Sequence, residues 1–244
     1  MNTLLRICAS LAAFSSVVPA HAHIGYGGRD LGTFGTAGGS ATIANQVVSS
    51  NFGWADGLDA DFGDSHRMRA FRFTLTEATT VTFSAEAFAA ATATSVGGLL
   101  PGFSIYDGLA HLAPLKADHD SAAATVAYLA SLPGAPKEGA FRAMDDWEIT
   151  NDSGDPRSVF TYVGSAFDEN FDGKASGSFS LAAGNYSVFV GGVNYVAQLY
   201  ETAYPSYGLK VTLNVAPVPE PETYAMFLAG LGLVGLIAHR RKQA

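Results

Sequence analysis

Past residue 8 this 244-residue chain has no cysteine. Disulfides, thiolate metal sites and thiol nucleophiles are therefore excluded beyond Cys8, and burial of apolar surface has to hold the fold together. Charge is also scarce. Asp, Glu, Lys and Arg make up 15% of the residues, with 14 basic against 22 acidic groups and a net charge of −8. That balance lacks the basic footprint of a nucleic-acid binder and suits solubility or cation binding. Signatures of common chemistry are missing too. The chain has no G-x-S-x-G, no H-E-x-x-H and no glycine loop leading into a helix that would cradle phosphate. Gly25-Tyr26-Gly27-Gly28 precedes no helical pattern and reads as a flexible arm. There is no internal repeat of fixed period.

What the chain has in quantity is aromatic and small residues, with 16 Phe, 10 Tyr and 27 Gly. Aromatics alternate with Ser and Thr, a composition that fits pleated strands better than helices. In Ala70–Thr76 the alternation puts Phe71, Phe73 and Leu75 on one face, and after a turn at Glu77–Thr80 it resumes with Val81 and Phe83. Phe103–Tyr106 runs into the turn Asp107-Gly108. Ser178–Leu181, Tyr186–Val190 and Leu209–Val215 continue the pattern, and further strands are expected at Ala41–Val48, Asp146–Thr150 and Val159–Val163. Strands with one apolar face each need a second sheet to cover them. The expectation is an all-β fold, an antiparallel β-sandwich of jelly-roll type over residues 23–216, with a short surface helix at Ser121–Leu132. The alternation is similar to that of bacterial pre-peptidase C-terminal-like and carbohydrate-binding sandwich domains.

Both ends differ from this body. Residues 1–22 carry Arg6, an apolar run from Ile7 to Val18 and the small-x-small ending Ala20-His21-Ala22, the layout of a secretory signal peptide cleaved after Ala22. Cys8 lies at the start of the apolar run, not after it, and directly follows Arg6-Ile7, which does not fit a lipoprotein signal. At the other end Pro219-Glu220-Pro221 is followed by the apolar stretch 224–238 and by Arg240-Arg241-Lys242. As a helix that stretch reaches about 22 Å, short of a ~30 Å hydrocarbon core unless its tyrosine and basic flanks extend it. The basic end should remain cytoplasmic. Order and spacing of these parts, over residues 217–244, resemble the PEP-CTERM sorting signal of Gram-negative bacteria. The resemblance implies removal of the leader by signal peptidase, transient anchoring in the inner membrane by a helix over 224–238, processing near the Pro-Glu-Pro by an exosortase, and delivery to the surface of bacteria that make exopolysaccharide. Without Arg6, Arg240, Arg241, Lys242, Glu220 and Glu222 the processed body carries a net charge of about −10.

Three groups of residues could carry chemistry. Asp56, Asp59, Asp61 and Asp64 lie among glycines in NFGWADGLDADFGDSHR, a spacing that can wrap oxygen ligands around calcium but has no glutamate at the closing position. The same residues also make ordinary turns. Trp54 beside them suits either a sugar-stacking role or the core. Asp118-His119-Asp120, with His111 upstream, can hold a transition metal or sit as a solvated loop. Finally, cleavage after Ala22 makes His23 the first residue. Its amine and imidazole together with His66, His119 or His111 would form a three-nitrogen copper site, an arrangement similar to the copper-brace proteins that include lytic polysaccharide monooxygenases.

The function expected from the sequence is non-enzymatic: a surface or matrix β-sandwich protein that binds or supports extracellular polysaccharide and uses no obligatory cofactor. The alternative is a secreted carbohydrate-active or copper-dependent enzyme. Processing at both ends is directly measurable. Intact mass of protein from the producing cell should show loss of residues 1–22 and of everything distal to Pro219-Glu220-Pro221. A mature species that retains Arg240-Arg241-Lys242 would remove the sorting-signal reading.

Overall fold

The computed structural model describes residues 24–55, 62–111, 123–132, 139–149, 157–201, 203–218, 226 and 229–233. In chain order its elements are β1 (Asp30–Phe34), β2 (Gly39–Ser49), β3 (Phe62–Asp64), β4 (Arg69–Leu75), β5 (Thr79–Ala87), β6 (Pro101–Asp107), α1 (Ala123–Ser131), β7 (Ala140–Arg142), β8 (Trp147–Ile149), β9 (Ser158–Phe167), β10 (Lys174–Leu181), β11 (Gly184–Gly192), α2 (Tyr195–Tyr200) and β12 (Ser206–Val215). One 3-10 turn, Ser65–Arg67, separates β3 from β4.

Two sheets stack. One has the order β1-β4-β11-β6-β9-β8 and the other β10-β5-β12-β2, while β3 and β7 form a separate two-stranded ribbon. From β2 onward the chain crosses between the sheets at almost every step, and only β6 to β9 stays in the same one. Setting aside the short strands, this is jelly-roll connectivity, as the alternation requires. Pairing is antiparallel except at one edge, where β1 runs parallel to β4 through Asp30↔Arg72, Thr33↔Thr74 and Phe34↔Leu75. That parallel edge departs from the all-antiparallel expectation. The segment leading to it is also not a loose arm: Ile24 and Tyr26 are buried, and the Tyr26 hydroxyl lies 2.6 Å from Ser187 Oγ and accepts from the Ala110 amide at 2.9 Å. Burial raises the Tyr26 pKa, although both hydrogen bonds and Arg72 act against it.

The inner core is the one the alternation marks. Phe71, Phe73 and Leu75 of β4 meet Val81, Phe83 and Ala85 of β5, Leu209, Val211 and Leu213 of β12, and Val188 and Val190 of β11. Phe83 and Phe103 bridge the two sheets with ring centroids 4.7 Å apart. A second core covers the outer face of the six-stranded sheet. There Tyr106 and Phe189 point away from the first core and pack with Phe141, Trp147 and Phe160. Trp147 stacks on Phe160 at 5.2 Å and meets Phe189 edge-on at 5.1 Å. Its indole N–H donates to the Ala140 carbonyl at 2.9 Å, so the ring is buried with its polar atom satisfied. As a result β6 is buried at six consecutive positions and β11 at seven.

The sandwich has two poles. At one, β12 ends beside the starts of β2 and β5, since Val215 pairs with Gly39 and Val81. Three connections there are short, residues 35–38, 76–78 and 182–183, and the long excursion from β6 to β9 also leaves from and returns to this pole, since Asp107 pairs with Tyr186 and Thr161. At the other pole lie the segments after β2, β5, β9 and β11. Ten-residue β12 spans roughly 30 Å between the poles.

Two substitutions test the two cores separately. Phe83→Ala and Phe189→Ala should each cost about 3–5 kcal/mol in urea unfolding, because both rings are buried and cannot be replaced by water. Reductant should leave both transitions, and that of the unmodified protein, where they are. A loss below about 1 kcal/mol for Phe189→Ala would mean that the outer layer is not a true core.

Candidate functional site

The pole away from the tail gathers most of the unusual side chains. Trp54 follows β2 and is held there by its indole N–H, which donates to Ser104 Oγ at 2.9 Å. Gly102 of β6 lets the ring lie flat on the backbone: a Cβ at that position would stand 2.7 Å from Trp54 Cδ2 and 2.5 Å from Val193 Cγ1. Trp54 therefore belongs to the core, and only its rim takes part in the surface. That rim, together with Met144, Phe167, Phe171 and Val193, lines a mainly apolar groove of about 340 Å³. Phe167 and Phe171 are exposed, Phe171 by 76%, and Phe167 meets Trp54 at 5.8 Å.

The groove is bordered by the β9–β10 loop, Asp168-Glu169-Asn170-Phe171-Asp172-Gly173. Asp168 is buried, and its two carboxylate oxygens accept from the amides of Asp172 at 3.1 Å and Gly173 at 2.7 Å. Asp172 accepts from the Lys174 amide, two residues on, at 3.0 Å. Phe171 sits at φ 57°, a conformation costly for a side chain of this size, and Gly173 at φ 81°, where glycine is at ease. On its other side the loop borders a polar hollow of about 420 Å³ with Glu169, Asn170, Asp172 and Lys174. The spacing Asp168-x-Asn170-x-Asp172-Gly173 repeats the first half of the calcium-loop template, with oxygens at positions 1, 3 and 5 and glycine at 6. Position 12 falls on Phe179, so a closing oxygen would have to come from a ligand or from water.

Next to Trp54 a charged cluster ties the 3-10 turn to its surroundings. Asp64 Oδ1 accepts from the His66 amide at 3.0 Å and lies 2.9 Å from His66 Nδ1, while Asp64 Oδ2 pairs with Arg67 Nε at 3.0 Å. Burial opposes ionisation of Asp64, but the hydrogen bonds and charge of His66 and the charge of Arg67 outweigh it and hold its carboxyl below the usual carboxylate range. The Arg67 guanidinium in turn lies 3.9 Å from the Tyr204 ring centre and 4.8 Å from that of Phe52.

The residues singled out in the sequence are distributed unevenly. Asp64 is a turn cap and ion-pair partner. Asp56, Asp59 and Asp61 lie outside the described residues, as do His23, Asp118, His119 and Asp120. His66 sits in the 3-10 turn and does not open a strand, since β4 begins at Arg69. The His111 amide donates to Ser158 Oγ at 2.9 Å, beside the outer core. Among the described residues no three His, Cys, Asp or Glu side chains converge as a metal cage. The Asp168–Gly173 loop was missed by the sequence reading, although its pattern stands in the sequence and breaks off only at the twelfth position.

The C-terminal segment has a known counterpart. A family model for the PEP-CTERM protein-sorting motif matches residues 217–242, and the chain is an exported protein that carries this signal, the mark of an exosortase substrate. Most of the expected helix 224–238, and all of Pro219-Glu220-Pro221 and Arg240-Arg241-Lys242, lie outside the described residues. Residues 226 and 229–233 are helical, with Met226, Leu231 and Leu233 exposed. Among the described residues no helix is long and apolar enough to cross a membrane. No curated protein matches the chain. Among solved structures it is similar to CorA, a surface-associated copper-binding protein of Methylomicrobium album BG8, with a TM-score of 0.44 and 16% identity over 75% of this chain and 100% of that one. It is also similar to the secreted protein MopE of Methylococcus capsulatus, in which an oxidized tryptophan facilitates copper binding, with a TM-score of 0.38 and 14% identity over 78% and 87% of the two chains.

Asp64 makes the charged cluster sensitive to acid. A carboxyl whose folded pKa is depressed stabilises the fold above its unfolded value, near 4, and loses that contribution as the pH falls through the lower folded value. Urea midpoints measured stepwise from pH 6 to pH 2.5 should therefore fall more steeply below about pH 4 in the unmodified protein than in Asp64→Asn. Parallel curves would show that the ion pairs contribute nothing to stability.

Proposed function

We propose that the exported body is a binding protein of the cell surface or extracellular matrix, and that it takes a polysaccharide at the pole opposite its tail. The observation that carries this reading is the placement of the groove. The sorting signal leaves from one pole, and Trp54, Phe167, Phe171 and the acidic loop lie at the other, roughly 30 Å away. While the tail is still in the membrane, the groove faces outward. The chemistry suits a sugar. The exposed ring of Phe171 offers an apolar face to ring C–H groups, and Glu169 beside it accepts from hydroxyls. A hard cation held by Asp168, Asn170 and Asp172 would find its remaining oxygens on sugar hydroxyls or carboxylates.

A second reading is favoured by the Asp64–His66 pair. A carboxylate bonded to one imidazole nitrogen is the support that orients metal-ligating histidines. With His23 at a processed N-terminus, His66 would then serve a copper-dependent enzyme acting on carbohydrate. Metal content of the correctly processed protein separates the two: stoichiometric copper that is lost in both His23→Ala and His66→Ala supports the enzyme.

For the binding role, the measurement is retention of the protein on the producer's own polysaccharide with and without calcium. Phe171→Ala should weaken retention about three- to tenfold and leave the unfolding midpoint unchanged, because the ring is solvent-exposed. A chelator should weaken binding of the unmodified protein and have little effect on Asp172→Ala. Equal retention of all variants, with and without chelator, would overturn this assignment of the groove.

A further inference from the structure

The sorting signal does not hang from the body on a free linker. Beyond the last residue of β12 the chain stays fastened for three more residues. The Ala216 amide donates to the Thr80 carbonyl at 2.9 Å, Thr79 Oγ1 donates to the Ala216 carbonyl at 2.8 Å, and the Val218 amide donates to the Thr36 carbonyl at 2.8 Å. Pro217, between them, has no amide hydrogen to satisfy. The strap lies in a seat that only glycine allows. Gly38 has φ 64°, and a Cβ there would stand 2.5 Å from the Val215 carbonyl oxygen, 2.7 Å from Pro217 N and 2.9 Å from Ala216 C. The next residue after the last fastened amide is Pro219, the first of the Pro-Glu-Pro.

We infer that this strap is a positioning device for processing: the β1–β2 turn and the start of β5 hold residues 216–218 so that the folded body itself presents Pro219-Glu220-Pro221 to the exosortase. Two physical arguments support it. First, reach is short. Six residue steps separate Val218 from Tyr224, where the apolar stretch starts, and even fully extended they cover at most about 20 Å. The tail pole therefore stays within that distance of the membrane surface for as long as the tail is inserted. Second, the direction of the chain is already set. The strap prolongs the β12–β5 ladder by one amide, and a residue followed by proline is biased to extended backbone, which applies to Val218 and Glu220. A peptidase that takes an extended substrate then has less chain entropy to remove on binding.

The strap acts through the motif and not on the cleaved bond, so the readout is the rate of processing together with the state of the body. The full-length chain is expressed with its exosortase and followed by pulse–chase, with body folding checked by protease resistance. One variant carries six Gly-Ser residues inserted between Val218 and Pro219, which leaves both the body and the motif intact. The others are Gly38→Ala, which pushes on the strap from below, and Thr79→Val, which removes one of its hydrogen bonds. The insertion and Gly38→Ala should slow conversion to the mature form about fivefold or more, and Thr79→Val should slow it less. In every case the precursor should stay protease-resistant and should accumulate in the membrane fraction. If Gly38→Ala lowers resistance of the body itself, the insertion variant decides. Conversion of the insertion variant at the unmodified rate, or faster, would show that the body does not position the motif and would overturn the inference.

Discussion

Everything in this fold depends on keeping the middle of one sheet out of water on both sides. β6 and β11 are flanked by strands on both edges and covered on both faces. A jelly roll supplies only one cover, the second sheet. The other has to come from outside the two-sheet plan. It is supplied by the excursion between β6 and β9, which contributes Phe141 and Trp147, and by the N-terminal segment, which contributes Ile24 and Tyr26. Without that cover Tyr106 and Phe189 would face solvent side by side, an apolar patch on a secreted protein that has no disulfide to compensate.

The double burial also explains where polar groups are spent. Ser104 and Ser187 point to the outer face, where aromatic neighbours leave them no water, and each is bonded. Ser104 Oγ takes the Trp54 indole N–H, and Ser187 Oγ lies between the Tyr26 hydroxyl and the Gly108 carbonyl. These bonds join the outer layer to the sheet at defined points, and an unbonded hydroxyl at either place would cost about 1–3 kcal/mol. One consequence reaches the candidate site. Trp54 is fixed by Ser104, and the groove beside it is walled by Trp54, so the shape of that groove is set by the packing of the outer core.

How much of this could be read from the sequence follows from the same point. The inner core was legible because Phe71, Phe73 and Leu75 alternate with the polar Arg72 and Thr74. In β11 the alternation fails: Tyr186, Val188 and Val190 face one core and Phe189 the other. Such a run identifies a strand but not what covers its second face, so the outer layer, the β3–β7 ribbon and the buried Tyr26 went unforeseen. Glycines around Tyr26 suggested mobility, but two hydrogen bonds and a buried ring outweigh the entropy that glycine loses. At the candidate site the acidic stretch before His66 drew attention by density of aspartate alone. The β9–β10 loop has fewer charges and a more specific order, and order is what a coordination shell requires.

The two poles acquire different duties from strand parity. β12 is the last strand, and its direction delivers the chain to the pole where β2 and β5 begin. Three pairs of strands are joined at that pole by turns of two to four residues, and the excursion between β6 and β9 also starts and ends there. The loops after β2, β5, β9 and β11 all open at the far pole and are free to be long, so side chains suited to a ligand accumulate there. A sorting signal fused to any strand ending at that far pole would lie on the same side as the groove. Fused to β12, it leaves the groove at the opposite end, which is what the proposed binding role requires of a protein that still carries its tail. The same topology that closes the hydrophobic core thus decides which end of the molecule carries the sorting signal and which end carries the groove.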